Sequence, residues 1–382
     1  MSKAHAKCSP SAAERWLHCT AAPNYETQFP DEPASVYASE GTLAHEFAEL
    51  FARRIFSKVT TRTFNSRLKK LQAKEQYSPE MERTAQFYAE YLFRKASEFA
   101  AVPHLALEVG VDIGTYVPQG FGRCDCVLIG GDALHITDYK HGAGVAVSAE
   151  GNPQMRLYAL GALERYRIAY PTISRVSMAI VQPRITEDIS EDSMTAAELL
   201  QWGAEIQPLA KEAYEGPGTF APGEWCRWCK GRAVCRARAD HYLALEQKLT
   251  TALSDEEVGD ALKRGAGLSA WLSDLQGYAL KTILDGGEIA GWKVVEGRSV
   301  RRFNDLDGAL KVFEAEGYDD ALLFDRKPKS LTELEKLMGK KVFAEKCAAF
   351  IEKPPGKPTL AEASDKRPAY NSMAADAAGL LP

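Results

Sequence analysis

The sequence predicts a mixed α/β fold in which helices pack on a central sheet. Residues 105–113 (LALEVGVDI) alternate apolar and polar side chains, which is typical of a half-buried strand. Residues 123–129 (RCDCVLI) and 134–140 (LHITDYK) are two further apolar runs, and the Gly-Gly-Asp sequence between them indicates a hairpin. A helical stretch and a fourth strand, 175–183, follow. This order of elements favours a layered α/β domain.

The helices are predicted by apolar side chains that recur at helical spacing. In residues 41–56, Leu43, Phe47 and Phe51 share a face, and Ser39 stands where it can cap the helix. The other helices predicted around the strands span 11–20, 79–100, 153–166 and 195–214. Two more are predicted further on, over 238–252 and 255–285.

Composition and predicted secondary structure change along the 382 residues, and these changes divide the chain into four expected regions. These are an α/β domain over 1–238, a helical extension over 239–290, a small α/β region over 291–352 and a flexible tail over 353–382. The tail is expected because it begins with Pro354-Pro355-Gly356 and ends in an Ala-rich sequence.

Composition excludes several classes of protein. The N-terminus has no apolar run typical of a signal peptide, and no segment approaches the roughly 20 apolar residues that span a bilayer. We therefore expect a cytoplasmic protein without membrane contact, in which structural disulfides are uncommon, so the eight cysteines need another role. A Walker A sequence is absent, so nothing indicates intrinsic ATP hydrolysis.

Basic residues are concentrated in two segments, although the formal net charge is −5. Between Arg53 and Lys74 there are eight basic residues and no acidic one, and a second group of five interleaves with cysteines in 227–238. Basic stripes on an acidic protein fit a groove for a polyanion. The alternative is a solvated helix face, and either segment alone leaves the two interpretations evenly balanced. The predicted DNA contacts are Arg53, Arg54, Lys69 and Lys70.

Two acidic residues and a lysine stand beside the apolar strands. Asp138 and Lys140 are two apart and share a strand face, and Asp125 lies on the neighbouring strand of the hairpin. Two carboxylates that converge with a lysine can form a site for Mg²⁺ or Mn²⁺, and the lysine can offset charge that develops on a phosphate. The alternative is a hairpin with a surface carboxylate that pairs with the lysine. For so short a pattern alone, that alternative is favoured.

Further residues favour the metal site over the surface hairpin. Gly122 precedes Asp125 in a G-x-x-D sequence, Gln154 and Tyr158 share one face of the next predicted helix, and His45 follows Gly41 on an early helix. In this order, the residues resemble the RecB-like branch of the PD-(D/E)xK nuclease superfamily. The resemblance implies the restriction-endonuclease-like core of that superfamily and a divalent metal held by His45, Asp125, Asp138 and the carbonyl of Tyr139.

The same resemblance assigns the remaining roles. Lys140 is the catalytic lysine, and Asp125 and Asp138 take part in catalysis as metal-binding acids. Gln154 and Tyr158 contact or position DNA near the reacting atoms. Glu108, on the preceding strand, matches a position that is commonly acidic and is a possible accessory residue.

Three cysteines lie within ten residues, as Cys226-x₂-Cys229-x₅-Cys235. With Cys19 as the natural fourth ligand and Cys8 as its competitor, such a set holds either Zn²⁺ or an iron–sulfur cluster, and spacing alone does not decide. A distant N-terminal cysteine followed by this spacing resembles the iron–sulfur subgroup of RecB-like nucleases, which includes the nucleases of CRISPR adaptation and AddB-type subunits. The resemblance implies a 4Fe–4S cluster that joins the two ends of the domain.

The remaining cysteines and two nearby tryptophans have less specific roles. Trp225 and Trp228 could shield a cluster from solvent or belong to the core. Cys124, Cys126 and Cys347 are interpreted as structural, the first two facing away from Asp125 on their strand.

The resemblance covers residues 8–238, and three phrases extend it to about residue 305. SPSAAERWLHC, YASEGTLAHEFAE and GWKVVEGRSVRRF resemble a phage and prophage family of such proteins. The leading hypothesis is a metal-dependent DNA exonuclease that acts on ends or single strands in recombination, replication or repair. The expected partners are DNA, a single-strand-binding or recombination protein, and further copies of the chain.

Two other hypotheses remain open. One is a catalytically silent DNA-binding or assembly module that keeps the fold and the cluster. The other is a zinc-bound regulator that holds nucleic acid through its basic cysteine segment.

Overall fold

A computed structural model describes residues 6–30, 36–57, 59–243 and 255–294 of the chain. The chain divides into two compact units, Met1–Val295 and Glu296–Pro382, and every described residue belongs to the first. The predicted region 353–382, all of 291–352 beyond residue 294, and Cys347 lie outside the described residues. Within the described residues, no helix is both long enough and apolar enough to cross a bilayer.

A mixed five-stranded sheet forms the centre, as the sequence predicts. Its strands in spatial order are β1 (His104–Asp112), β2 (Phe121–Gly130), β3 (Ala133–Tyr139), β4 (Arg175–Val181) and β5 (Ser190–Thr195). β3 and β4 are parallel, and the other neighbours are antiparallel. The hairpin between β2 and β3 turns at Gly131, whose φ of 59° suits glycine. β5 was not predicted, because its sequence, SEDSMT, has none of the apolar residues that signal a strand.

Helices surround this sheet. In chain order they are α1 (Ala13–His18), α2 (Ala22–Tyr25), α3 (Val36–Phe56), α4 (Thr61–Gln72), α5 (Pro79–Ser97), α6 (Pro153–Tyr166), α7 (Ala196–Glu215), α8 (Arg236–Leu243) and α9 (Asp255–Leu284). α3 begins before Ser39, so the expectation that Ser39 caps this helix is wrong. A serine inside a helix costs only a few tenths of a kcal/mol, roughly, and does not stop it.

The helices form one layer on each face of the sheet. On one face, Leu134 and Ile136 of β3 pack with residues of α1, α6 and α7. On the other, Tyr139 packs with residues of α3 and α5, including Phe47 and Tyr88. Alternate residues of β3 therefore face opposite helical layers, as the period of two in a strand requires. A side chain at the end of this sheet can be reached from both layers.

The alternation of faces is interrupted in β1 and β2 at one point. Leu105 and Leu107 pack on the α3 and α5 side, whereas Val109 and Val111 pack on the α1, α6 and α7 side. The residue between them, Glu108, has a φ of 55°, which is uncommon outside glycine. The expectation that alternate residues of 105–113 share one face is therefore wrong, because this left-handed residue reverses the sequence of faces.

β2 changes face at the matching position. Cys124 belongs to the core cluster beside α6, and Cys126 belongs to the one beside α3 and α5. Both thiols are fully buried, as expected of structural cysteines. The expectation that the two cysteines lie together on the face opposite Asp125 is wrong, because β2 changes face between them at the position opposite Glu108.

α9 is attached to the cysteine segment by its polar side chains. The Asp274 carboxylate accepts hydrogen bonds from Arg232 at 3.1 Å and Arg238 at 2.6 Å. The Trp271 indole donates to the carbonyl of Ala233 at 3.0 Å. These contacts order the segment around the cysteines from its outer side.

The buried His135 on β3 predicts an acid-sensitive component of stability. Burial, with a smaller effect of Lys95, lowers the pKa of His135 to about 3, whereas an unfolded histidine titrates near 6.5. Between those values the unfolded chain binds a proton that the folded chain does not. The free energy of unfolding should therefore fall as pH decreases from about 6.5 towards 3, by up to about 1.4 kcal/mol per pH unit from this residue.

Denaturant titrations of the wild type and His135→Gln at several pH values measure this component. The variant should lose stability more slowly on acidification than the wild type. Parallel curves for the two proteins between pH 6.5 and 4 would contradict the assignment.

Candidate active site

The residues that the sequence singled out come together at one end of the sheet. β2 supplies Asp125, β3 supplies Asp138, and Lys140 directly follows β3. α3 supplies His45 from one helical layer, and α6 supplies Gln154 and Tyr158 from the other. The side chain of Asn152 caps α6 by accepting from the amide nitrogens of its first turn, including that of Gln154 at 3.0 Å. This cap fixes the start of α6, and with it the height of Gln154 above the sheet.

Asp125 uses both of its carboxylate oxygens. Oδ2 accepts a hydrogen bond from the backbone nitrogen of Tyr139 at 2.7 Å, which ties β2 to the end of β3. Oδ1 lies 3.3 Å from Nδ1 of His45 on α3. The hydrogen bond from the Tyr139 backbone therefore sets the orientation of the Asp125 carboxylate. The imidazole of His45 pairs with the other oxygen of that carboxylate.

A buried ion pair and an amide connect the other motif residues. Oδ2 of Asp138 lies 2.9 Å from Nζ of Lys140, and the Asp138 side chain is only 4% exposed. The Gln154 amide nitrogen donates to Asp138 at 3.3 Å and to the Tyr158 hydroxyl at 3.2 Å. Its amide oxygen accepts from Lys140 at 3.2 Å. Gln154 therefore holds the acid, the lysine and the tyrosine in one hydrogen-bonded group.

A group suited to a metal ion lies next to this ion pair. His45, Glu108 and Asp125 each offer a ligand atom, and these atoms lie within 4.8 Å of one another. A mixed set of carboxylate oxygens and an imidazole suits Mn²⁺ or Mg²⁺. Glu108, which the sequence placed only as an accessory residue, belongs to this group, and Asp138 does not. The oxygens of Asp138 face Lys140 and Gln154 instead.

The left-handed conformation of Glu108 directs its carboxylate towards this group. Strained conformations of this kind cost about 1–3 kcal/mol and are concentrated at functional sites. Arg123 donates to the Glu108 carboxylate at 3.3 Å and holds it in place. This conformation could not be predicted from the sequence, because a glutamate does not indicate a positive φ.

The pKa shifts reveal the strong negative field of the site. Burial alone would lower the pKa of His45, but the Asp125 and Asp138 carboxylates outweigh it and raise this pKa to about 9. Burial, with the charge of Asp125, raises the pKa of Glu108. Burial likewise raises the pKa of Asp138, against the opposing effect of Lys140. A field that attracts a proton to the imidazole also attracts a metal cation to the same position.

A second hydrogen-bonded group supports the site from behind and was missed in the sequence. The Tyr139 hydroxyl donates to Thr84 on α5 at 2.8 Å and lies 3.1 Å from Nδ1 of His141. On its other side, His141 lies 3.4 Å from Glu40, which also pairs with Arg184 at 2.9 Å. Glu40 and Thr84 are distant in sequence from the strand motif, so no local pattern could have connected them.

The four cysteines expected to form one ligand set line a single cavity. These are Cys19, Cys226, Cys229 and Cys235. Cys8 does not line this cavity and is buried in the core cluster beside α6. The walls also include Trp225 and three arginines, namely Arg15, Arg232 and Arg238. In the described part of the chain, no three of these sulfur atoms lie within 4.8 Å of one another.

The predicted DNA contacts Arg53, Arg54, Lys69 and Lys70 do not line the surface groove of about 890 Å³ that Lys140 lines. Arg53 pairs with Glu49 at 2.7 Å, and Arg54 donates to the carbonyl of Val59 at 2.6 Å. Lys69 and Lys70 are exposed in the last turn of α4, a helix with no buried residue. Of the seven described basic residues in this segment, three have local partners and four are exposed: Arg53, Arg54 and Lys74 belong to the first group, and Arg62, Arg67, Lys69 and Lys70 to the second.

The model of one protein family matches nearly the whole chain, over residues 5–368. The family is DUF2800, described as a protein of unknown function. This chain belongs to the DUF2800 family.

Solved structures similar to this DUF2800 chain include three with low sequence identity. The crystal structure of SSO0001 is 15% identical, with a TM-score of 0.24, over 59% of this chain and 95% of that one. A candidate exonuclease from Eubacterium rectale is 11% identical, with a TM-score of 0.32, over 64% and 90%. LHK-Exo in complex with dAMP is 13% identical, with a TM-score of 0.22, over 45% and 91%. Scores this low carry no conclusion about the DUF2800 chain.

The grouping of His45, Glu108 and Asp125 predicts a binding site for Mn²⁺. Asp125→Asn and Glu108→Gln should each weaken Mn²⁺ binding by more than about tenfold, because each removes a charged ligand. Isothermal titration of the metal-free DUF2800 protein measures the affinity. Asp132→Asn is the matched control, since Asp132 is an acid that pairs with Arg175 away from the site. Wild-type affinity in both site variants would rule the group out as a metal site.

Proposed function

We propose that this DUF2800 protein is a divalent-metal-dependent DNA nuclease of the RecB-like PD-(D/E)xK type. The observation that carries the proposal is the hydrogen-bonded group in which Gln154 joins Asp138, Lys140 and Tyr158. Beside it, Asp125 bridges His45 and the backbone of Tyr139. Motifs from four separate segments of the sequence meet at one end of the sheet, which a surface hairpin with an incidental ion pair does not explain.

The residues divide into two functional groups. His45, Glu108 and Asp125 would hold the cation, with Asp138 and the Tyr139 carbonyl as the further ligands that the resemblance implies. A cation bound there would polarise the scissile phosphate and make a water molecule more acidic. Phosphate oxygens of the DNA substrate would be further ligands of a cation held there.

In this proposal, Lys140 stabilises the charge that develops at phosphorus. The fields of Asp138 and Asp125 raise the pKa of Lys140 against the effect of burial, so its ammonium stays charged at neutral pH. Gln154 limits its motion, and a preorganised charge in a dry site stabilises a transition state more than one in water. In the proposed step, water adds to phosphorus and gives up a proton, the bond to the leaving oxygen breaks, and the leaving oxygen takes up a proton in its place.

The proposed substrate is the end of a DNA molecule or a single strand. In the resembled family, a glutamine and a tyrosine at this spacing belong to enzymes that trim ends. We further propose that the protein acts in phage or prophage recombination, replication or repair, in the cytoplasm of the host. A single-strand-binding or recombination protein, or further copies of the chain, would supply the strand.

We propose that the cavity lined by the four cysteines holds a 4Fe–4S cluster. Four thiolates around one Zn²⁺ would lie about 3.8 Å apart, as follows from Zn–S bonds of about 2.3 Å. Among the described residues, no three of the four sulfur atoms lie within 4.8 Å of one another, and a cluster takes one thiolate at each of four irons. The positive charges of Arg15, Arg232 and Arg238 complement a cluster bound by thiolates. The cluster would join α1 to the segment after α7 and so close the domain.

Lys140→Ala should abolish metal-dependent cleavage of end-labelled DNA. We expect a loss of roughly 10²- to 10⁴-fold, because the change removes a preorganised charge at the reacting phosphate. Lys95→Ala is the matched control, since Lys95 is also a poorly exposed, ion-paired lysine but pairs with Glu191 outside the site. Cleavage is compared with Mg²⁺, Mn²⁺ and EDTA, and thermal unfolding checks that each variant folds.

Equal cleavage by the wild type and Lys140→Ala would overturn the proposed site. DNA binding without cleavage by the wild type in either metal would favour the assembly-module hypothesis instead.

Anaerobically purified protein should contain about four irons and four sulfides per chain, with the broad visible absorption of a 4Fe–4S cluster. Cys19→Ser should lose iron and colour, because it removes one ligand of the set. Cys8→Ser should keep both, since Cys8 is an equally buried thiol outside the cavity. Metal analysis that finds one zinc and no iron would replace the cluster with a zinc site.

A further inference from the structure

A groove of about 890 Å³ connects the catalytic lysine with the cysteine segment. Lys140 and Gln154 line one part of it, and Trp225, Arg227 and Trp228 line another. Its remaining walls come from the N-terminal residues 9–15, the loop 142–148, residues 152–153, Gln182 and Glu224. They are mainly small or polar and include two acidic side chains, Glu14 and Glu224. A ligand that fills this groove would contact Lys140 and the two tryptophans, Trp225 and Trp228, at the same time.

Trp228 has an unusual environment within this groove. It is 63% exposed, although large aromatic side chains are usually well buried. The Arg227 guanidinium lies 5.3 Å from the centre of its ring. Such an aromatic ring beside a cation offers a flat, partly covered surface to a ligand in the groove.

The backbone of Trp228 is held firmly even though its ring is exposed. Its carbonyl accepts a hydrogen bond from Arg15 at 3.0 Å, and Arg15 is itself paired with Glu26 at 3.0 Å. The short 3₁₀ helix that it ends also carries Cys226, which is buried in the cysteine cavity. The ring is therefore presented to the groove by a fixed backbone, which reduces the entropy lost when a ligand stacks on it.

The two tryptophans of this segment have different surroundings. Trp225 lines the cysteine cavity and stacks on His18 with ring centres 4.0 Å apart, so it can shield the cysteines. Trp228 lines the groove but not the cysteine cavity. The shielding role that the sequence suggested for both therefore fits Trp225 only.

We infer that Trp228, with Arg227, is a stacking platform for an unpaired base of single-stranded DNA that lies in this groove. The inference deepens the proposed function and rests on it for the identity of the substrate. A duplex does not expose the faces of its internal bases, whereas a single strand offers one at every nucleotide. Stacking on Trp228 would thus make the protein select single strands and would hold the strand beside Lys140.

Fluorescence anisotropy with a labelled oligothymidylate in EDTA tests the platform without cleavage. Trp228→Ala should bind about 5- to 100-fold more weakly, the range expected for loss of one base–aromatic stack. Trp228→Phe should retain most of the affinity because it keeps an aromatic face. Trp292→Ala is the matched control, since Trp292 is 69% exposed but does not line the groove. Affinity for a blunt duplex should change less than twofold in Trp228→Ala.

An oligonucleotide of the same length with abasic residues separates stacking from charge. It should bind the wild type and Trp228→Ala equally, because it has phosphates but no bases to stack. Wild-type affinity of Trp228→Ala for oligothymidylate, or an equal loss on the abasic strand, would overturn the platform.

Cleavage by the wild type is measured in parallel with Mg²⁺. Absent cleavage together with Trp228-dependent binding would overturn the proposed nuclease and leave the platform standing. Cleavage by the wild type, together with unaltered binding by Trp228→Ala, would overturn the platform and leave the proposed nuclease standing.

Discussion

The buried ion pair between Asp138 and Lys140 is the interaction on which the arrangement of the site depends. Asp138 is nearly inaccessible to water, and an isolated buried carboxylate would cost several kcal/mol, roughly. Its charge is tolerated because the ammonium of Lys140 lies 2.9 Å away and the Gln154 amide donates a further hydrogen bond. Since Gln154 belongs to α6, the position of a whole helix is coupled to this pair.

The second constraint is the position of the pair at the end of the sheet. At this end of the sheet, His45 of α3 reaches Asp125 and Gln154 of α6 reaches Asp138. The reversal of faces at Glu108 adds a carboxylate from β1 that an ordinary strand would have directed elsewhere. Strained backbone conformations of this kind are concentrated at functional sites.

The cysteine segment links the site to the ends of the domain. It faces the groove with Trp228 and the cysteine cavity with Cys226, so one short turn serves both. Arg15 connects the same turn to the N-terminal helices. A change at the cysteines should therefore alter the position of Trp228 in the groove, because Cys226 and Trp228 belong to one short helix.

The sequence by itself determined the mixed sheet, most of its helices, and a set of motif residues that do meet: His45, Asp125, Asp138, Lys140, Gln154 and Tyr158. Local spacing placed residues two apart on one strand face and residues four apart on one helix face. The grouping of residues from separate elements came from the ordered resemblance to a nuclease family, because local spacing alone favoured a surface hairpin. It also grouped Cys19 with the later cysteines through a resemblance that spans the domain.

Only the tertiary structure decided which acid joins His45 and Asp125, since Glu108 reaches them through a conformation that its sequence does not signal. It alone separated Trp225 from Trp228, and it alone connected Glu40 and Thr84 to the back of the site. These features depend on contacts between segments far apart in the chain, and the physical rules of local sequence carry no information about such contacts.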